Sequence, residues 1–172
     1  MVTQAGKAGT IAAAVLLLAG SGPAAAQLEA GIKVGSQAPV VVVPDLEGKP
    51  VDLGLVLGRK PVLLEFWATW CPLCRDLMPQ LVRIHSEYGD RVALYGVNVT
   101  VNDSKARVER YLAQHRPPFQ VLYDDKGVAV RAYDVPTTSF IVIVDSTGKV
   151  AYTGSGDRQD LVGAVRRVVG PP

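Results

Sequence analysis

The chain has 172 residues, of which 48% are hydrophobic and 20% charged, with 18 basic and 16 acidic side chains. This length and apolar content suit one domain with a substantial core. The near-neutral balance, a formal net charge of +2, gives no basic surface of the kind that binds nucleic acid.

Residues 1–26 have the pattern of an export signal peptide. Lys7 precedes an apolar run over residues 11–19, and Ala24-Ala25-Ala26 is a small-residue cleavage site before Gln27. The run is shorter than the ~20 apolar residues that span a bilayer. We therefore predict a cleaved signal peptide, with an uncleaved N-terminal anchor as the alternative, and a mature protein outside the cytoplasm.

The first half of the mature chain predicts a loose lead-in, two short strands, a buried strand and a helix. The lead-in covers residues 27–39, and the short strands cover 40–43 and 51–53. The nearly continuous apolar run over 62–67 is typical of a strand buried on both faces. Leu77, Leu81 and Ile84 then mark one face of a helix, which Pro79 should kink.

The second half predicts further alternation of strands and helices. Strands are expected at 92–99 and 119–123, a hairpin at 140–144 and 150–153, and helices that start near Asp103 or Ser104 and near Asp157. Alternation of this kind indicates an α/β layer structure with crossover helices on both faces. We expect it to form one domain over residues 40–172.

Cys71 and Cys74 are the only cysteines. A bridge across two residues closes too short a loop to stabilise the fold much, which favours redox chemistry over a structural disulfide. Cys71 lies between a buried strand and a helix, where backbone N–H groups and the helix dipole stabilise a thiolate. We therefore predict a lowered pKa and the nucleophilic role for Cys71, with a less exposed Cys74 as the resolving thiol.

A metal site is the other chemistry open to a Cys-x-x-Cys pair. No second such pair is present, and His85 and His115 are the only histidines. Zinc normally takes four ligands, so we expect none here.

The run Leu64–Cys74 resembles the thioredoxin superfamily, with Pro79 matching the proline of its active-site helix and Val135-Pro136-Thr137-Thr138 its cis-proline loop. Over roughly residues 34–170 the chain is most similar to periplasmic TlpA/ResA-like thiol–disulfide oxidoreductases. The resemblance implies a thioredoxin fold: a central mixed β-sheet flanked by helices, with an N-terminal β extension. It also implies a periplasmic location.

The resemblance implies roles for residues around the dithiol. Pro136 would be cis beside the cysteines, leaving the Val135 backbone free to pair with an extended substrate. Trp70, Pro72 and Leu73 would complete the substrate surface. Glu65 matches a buried acid that takes a proton from Cys74; the alternative is a strand-end carboxylate that reaches water.

Two positions depart from the family pattern. Gly96 stands where thioredoxins carry a lysine near the buried acid, so Glu65 lacks that partner. Proline directly follows the first cysteine, as in some oxidising members, rather than preceding the second. The residues between the cysteines help set the reduction potential, so the direction of electron flow stays open.

The resulting prediction is a protein disulfide oxidoreductase that needs no cofactor, because the dithiol itself carries two electrons. By resemblance it would be a reductant in cytochrome c maturation or in thiol maintenance of exported proteins. Its partners would be cysteine-containing exported proteins, apocytochrome c among them, and a membrane electron donor of the DsbD/CcdA type. The alternatives are a disulfide-forming oxidase, a peroxiredoxin-like peroxidase and a copper-binding thioredoxin-like carrier.

Overall fold

The computed structural model describes Met1 and residues 31–172. The predicted signal peptide therefore lies outside the described residues, apart from Met1. Within the described part, no helix has both the length and the apolar character needed to cross a bilayer.

Seven strands and four α-helices follow one another along the described chain, and most fall where the sequence predicts them. In chain order they are β1 Val42–Pro44, β2 Pro50–Asp52, β3 Val62–Trp67, α1 Pro72–Tyr88, β4 Ala93–Asn98, α2 Lys105–His115, β5 Gln120–Tyr123, α3 Val128–Ala132, β6 Phe140–Val144, β7 Val150–Ser155 and α4 Leu161–Val169. A short 3-10 helix, Leu53–Leu55, follows β2.

The central sheet has five strands in the order β5-β4-β3-β6-β7. β3 is parallel to β4 and antiparallel to β6, and Leu64 pairs with both Tyr95 and Val142. All six residues of β3 are buried, as the continuous apolar run predicts for a strand at the centre of a covered sheet. β1 and β2 form a separate antiparallel pair. This mixed sheet confirms the predicted fold class.

The helices that connect the strands cover both faces of the sheet, as predicted, with α1 and α2 on one face and α3, between β5 and β6, on the other. The steps from β3 to β4 and from β4 to β5 run in one direction, so right-handed crossovers place α1 and α2 side by side. α4 packs next to α1 on this face, over Leu63 and Ile141. The opposite face carries α3 and the β1–β2 pair, over Leu64 and Phe66.

The described part of the lead-in is held in place, contrary to the loose segment predicted. Ile32 N–H donates to the Tyr133 carbonyl at 3.0 Å, and Gly35 N–H to Val150 at 2.7 Å. Gln37 bridges to Lys149 at the turn of the β6–β7 hairpin. Backbone bonds of this kind depend on contacts between distant parts of the chain, which local sequence does not reveal.

Candidate active site

Cys71 is the N-cap of α1, at the end of the turn that leaves β3. Its Sγ accepts a hydrogen bond from Cys74 N–H at 3.1 Å, and Pro72 occupies the first helical turn, where a missing N–H costs nothing. The helix continues through Pro79 to Tyr88. The structure thus places the sulfur of Cys71 among unpaired N–H groups at the positive end of a helix, as predicted.

Cys71 and Cys74 form a disulfide, with their Cα atoms 5.4 Å apart. Their exposed fractions are 2% and 3%, so Cys71 is not the more exposed of the two in this oxidised form. The disulfide and the Cys74 N–H bond to Cys71 Sγ engage the sulfur that was expected to be exposed.

The surface around the disulfide is largely apolar. Trp70 and Leu73 are 39% and 42% exposed, and Pro72 is exposed beside them. A groove of about 310 Å³ adjoins Trp70. Its other lining residues are Val99, Val101, Val130, Val135, Pro136, Thr137 and Thr138. Of the residues predicted to contact substrate, Trp70, Val135 and Pro136 line this groove, whereas Pro72 and Leu73 are exposed outside its lining.

The loop before β6 differs from the predicted cis-proline loop. Every peptide bond among the described residues is trans, including the one before Pro136. The chain changes direction here through Asp134 and Ser139, which both adopt positive φ angles. The Val135 N–H donates to the Val130 carbonyl at 3.0 Å, so it is not free for a substrate, whereas the Val135 carbonyl has no backbone partner among the described residues.

Glu65 lies in the middle of β3 with no exposed surface, which excludes a carboxylate that reaches water. Neither carboxyl oxygen has a hydrogen-bond partner within the described chain. Burial raises the pKa of Glu65 to about 8. Alternation along β3 directs its side chain to the same face as Leu63, the face that α1 covers.

The strand pairing explains why Glu65 has no cationic neighbour at the position where a lysine is usual. Glu65 pairs with Gly96 on β4, and a Cβ at Gly96 would overlap the ring of Phe119. Phe119 thus fills the volume that a longer side chain would need. Trp67, which follows Phe66 at the end of β3, is buried against Tyr111 and Phe119, with ring centroids 5.4 and 6.2 Å away.

Sequence reasoning missed a polar network beside the dithiol. Asp103, one of the two residues expected to cap α2, is buried and accepts hydrogen bonds from Thr69 N–H at 2.7 Å and Thr69 Oγ1 at 2.6 Å. Asn98 Nδ2 donates to the same carboxylate at 3.0 Å, and Ser104 is the N-cap of α2 instead. The parallel strands β3 and β4 end at the same edge of the sheet. The polar residues that follow these two strands could therefore have been predicted to lie close together.

The two histidines lie apart from the cysteines. His115 is exposed and stacks on Tyr111, with ring centroids 3.9 Å apart, and His85 is exposed on α1. The described residues contain no cluster of three or more side chains that could hold a metal ion.

A thioredoxin-type sheet with a Cys-x-x-Cys disulfide at the start of its active-site helix defines a thiol–disulfide oxidoreductase, an enzyme that acts on thiol-containing proteins. The chain belongs to the AhpC/TSA family, whose sequence profile matches residues 34–153.

Relatives and solved structures agree with this assignment. The chain is 36% identical to the thioredoxin-like protein YneN of Bacillus subtilis over 123 residues, 71% of each chain. It is 29% identical to the thiol-disulfide oxidoreductase ResA of Bacillus thuringiensis over 130 residues, 76% of this chain and 74% of ResA. A thiol:disulfide interchange protein assigned as DsbE from Chlorobium tepidum superposes with a TM-score of 0.72 at 28% identity, covering 81% of this chain and 99% of that one.

Proposed function

We propose that this protein is a reductant of disulfides in exported proteins. The observation that carries the proposal is the burial of Cys71 and Cys74, which are 2% and 3% exposed and joined in a disulfide at the start of α1. A buried thiolate must be desolvated, whereas the disulfide is neutral. The environment therefore favours the oxidised product and drives electrons from the dithiol to a substrate.

The reaction runs in two steps that together transfer two electrons. The Cys71 thiolate attacks a substrate disulfide, forming a mixed disulfide and releasing one substrate thiolate. The Cys74 thiol then gives its proton to the Glu65 carboxylate, and its sulfur attacks Cys71 Sγ. This step forms the Cys71–Cys74 disulfide and releases the second substrate thiolate.

Glu65 suits the role of proton acceptor through its pKa of about 8. Burial makes the Glu65 carboxylate a stronger base than an ordinary carboxylate, which favours transfer of the Cys74 proton to it. An acid with an ordinary carboxyl pKa would be too weak a base for the same step.

The apolar surface around the disulfide would receive the substrate. Trp70, Pro72 and Leu73 surround the sulfurs, and the groove beside Trp70 continues along Val135 and Pro136. The Val135 carbonyl is the backbone group positioned to pair with an extended segment of a substrate protein. Apolar side chains next to the substrate cysteine would fit the groove.

The cellular setting follows from the sequence and from the relatives. The signal-like residues 1–26 support export of a domain over residues 40–172 to the periplasm, and relatives named ResA and DsbE support a role in thiol maintenance or cytochrome c maturation. Substrates would include apocytochrome c. A membrane donor of the DsbD/CcdA type would return the dithiol to its reduced state.

Serine variants of the two cysteines test the chemistry. Reduced wild-type protein should precipitate insulin by reducing its disulfides, and Cys71→Ser should abolish this activity. Cys74→Ser should retain the first attack and accumulate a mixed disulfide that denaturing, non-reducing electrophoresis detects. Unchanged turnover in both variants would refute the dithiol mechanism.

Equilibration with glutathione tests the direction of electron flow. We expect a potential near that of thioredoxin, about −270 mV, and a value near that of DsbA, about −120 mV, would establish an oxidase instead. Rapid peroxide consumption by the reduced protein would favour a peroxidase. Retention of Cu(I) without reductase activity would favour a copper carrier.

A further inference from the structure

The loop between β4 and α2, residues 99–104, is attached to the turn that carries the dithiol. Trp70 Nε1 donates to the Val101 carbonyl at 2.7 Å, and Val99 N–H donates to the Trp67 carbonyl at 3.0 Å. Asp103 adds the two hydrogen bonds from Thr69. Both sides of this junction border the groove, since Trp70, Val99 and Val101 line it.

Asp103 is the centre of these attachments. Its Oδ2 accepts hydrogen bonds from two groups that can only donate, Thr69 N–H and Asn98 Nδ2. Its Oδ1 accepts a hydrogen bond from the Thr69 hydroxyl. A buried carboxylate is costly unless such donors satisfy it. Arg107 lies 3.7 Å away and is half exposed, so this ion pair contributes little.

The rest of the loop is fixed from its other side. Tyr123 Oη donates to the Asp103 carbonyl at 3.1 Å, and Thr100 Oγ1 donates to the Asp124 carbonyl at 3.3 Å. Thr100 and Asn102 both adopt positive φ angles, which places Val101 outward with 58% of its surface exposed. An exposed valine held this firmly forms a preformed wall, which lowers the entropy lost when a substrate binds.

We propose that Asp103 is a positioning residue that holds Trp70 and Val101 as one wall of the substrate groove. This role rests on the proposed function, and it gives the β4–α2 loop a part in recognising the protein substrate. Asp103 acts through Thr69 and Trp70 and takes no part in electron transfer.

The kinetic test compares Asp103→Ala with Asp103→Asn. In Asp103→Asn, the side-chain oxygen can take the place of Oδ2 and accept from Thr69 N–H and Asn98 Nδ2. Its Nδ2 can donate to the Thr69 hydroxyl, which then acts as the acceptor. Asparagine should therefore preserve the wall. We expect Asp103→Ala to raise KM for insulin at least fivefold, with kcat and the equilibrium constant with glutathione changed less than twofold. Asp103→Asn should restore KM to within twofold of wild type.

A matched control separates positioning from general stability. Asp160→Ala removes the N-cap of α4, which lies outside the β4–α2 loop and the groove lining, so it should lower thermal stability and leave KM unchanged. If Asp160→Ala or Asp103→Asn raises KM as much as Asp103→Ala does, or if Asp103→Ala leaves KM within twofold, the proposal is wrong.

Tryptophan quenching tests the wall without any turnover. Trp67 and Trp70 are the only tryptophans, so a Trp67→Phe background leaves Trp70 as the sole reporter. Asp103→Ala in this background should raise the acrylamide quenching constant at least twofold, and Asp103→Asn should not. An unchanged constant would refute the positioning role, whereas failure of wild type to reduce insulin would refute the proposed function alone.

Discussion

Glu65 shows at the residue scale how burial changes the acid–base behaviour of a side chain. It lies in the central strand without a hydrogen-bond partner, and the neighbouring position on β4 is Gly96. The raised pKa follows from desolvation alone. The family resemblance implied a buried acid at Glu65, with a carboxylate that reaches water as the alternative, and the degree of burial depends on α1 and the strands on both sides.

The pKa of Glu65 predicts a specific dependence of stability on pH. The folded-state pKa of about 8 lies above the ordinary glutamate pKa of 4.5, so between these values the native state binds a proton that the unfolded state releases. The free energy of unfolding should therefore fall as pH rises from 4.5 to 8, by roughly 5 kcal/mol in the limit.

Guanidinium titrations of oxidised protein at pH 5 and pH 8.5 measure this effect. Glu65→Gln should remove most of the decrease, because glutamine does not titrate. Glu109→Gln, at an exposed glutamate of α2, is the matched control and should retain it. Equal pH dependence in wild type and Glu65→Gln would contradict the assignment.

The contact between Gly96 and Phe119 is a second residue-scale feature with a measurable consequence. A Cβ at Gly96 meets the ring of Phe119, so Gly96→Ala should lower the free energy of unfolding by about 1–3 kcal/mol. Phe119→Ala should also destabilise, by cavity formation. The double variant should be destabilised by less than the sum of the two single effects, because removal of the ring leaves space for the new Cβ. Additive changes in the free energy of unfolding, measured by denaturant titration, would show that the Phe119 ring does not obstruct this Cβ.

At the scale of elements, the ends of helices were harder to predict than their existence. The final helix was expected to start at Asp157, but Asp160 is its N-cap and accepts from Gly163 N–H at 2.9 Å. Both aspartates precede the apolar face of this helix, so the sequence alone could not show which of them is the N-cap. α3 was missed because it has only five residues and depends on Asp124, which accepts from Val128 and Val130 N–H groups.

The two aspartates form a matched pair for measuring the helix cap. Asp160→Ala should lower the free energy of unfolding by about 1 kcal/mol, because the Gly163 N–H loses its acceptor. Asp157→Ala should change it by less than about 0.5 kcal/mol, as expected of an exposed loop residue. Equal effects of the two substitutions on thermal or chemical unfolding would contradict the cap assignment.

For the whole molecule, redox state and stability are coupled by a thermodynamic cycle. The difference in unfolding free energy between oxidised and reduced protein equals the difference in reduction free energy between the folded and unfolded chains. A disulfide across so short a loop contributes only about 2 kcal/mol through chain entropy. Burial of both sulfurs adds to the preference for the neutral, oxidised form.

We therefore expect the oxidised protein to be more stable than the reduced protein by about 1–3 kcal/mol. Guanidinium titrations with and without dithiothreitol measure the difference. The Cys71→Ser/Cys74→Ser double variant, which has no other cysteine, should be unaffected by the reductant. Greater stability of the reduced form would mean that folding favours the dithiol, as in an oxidase.

The sequence by itself determined the elements and the chemistry. The apolar run of β3, the periodicity of α1 and the position of Cys71 between them depend on local order along the chain, and they predicted the fold and the dithiol. Tertiary structure alone decided the contacts that Asp103 makes with Thr69, the hydrogen bond from Trp70 to Val101, and the bond that ties Ile32 to Tyr133. Those features depend on segments that are distant along the chain and meet only when the sheet assembles.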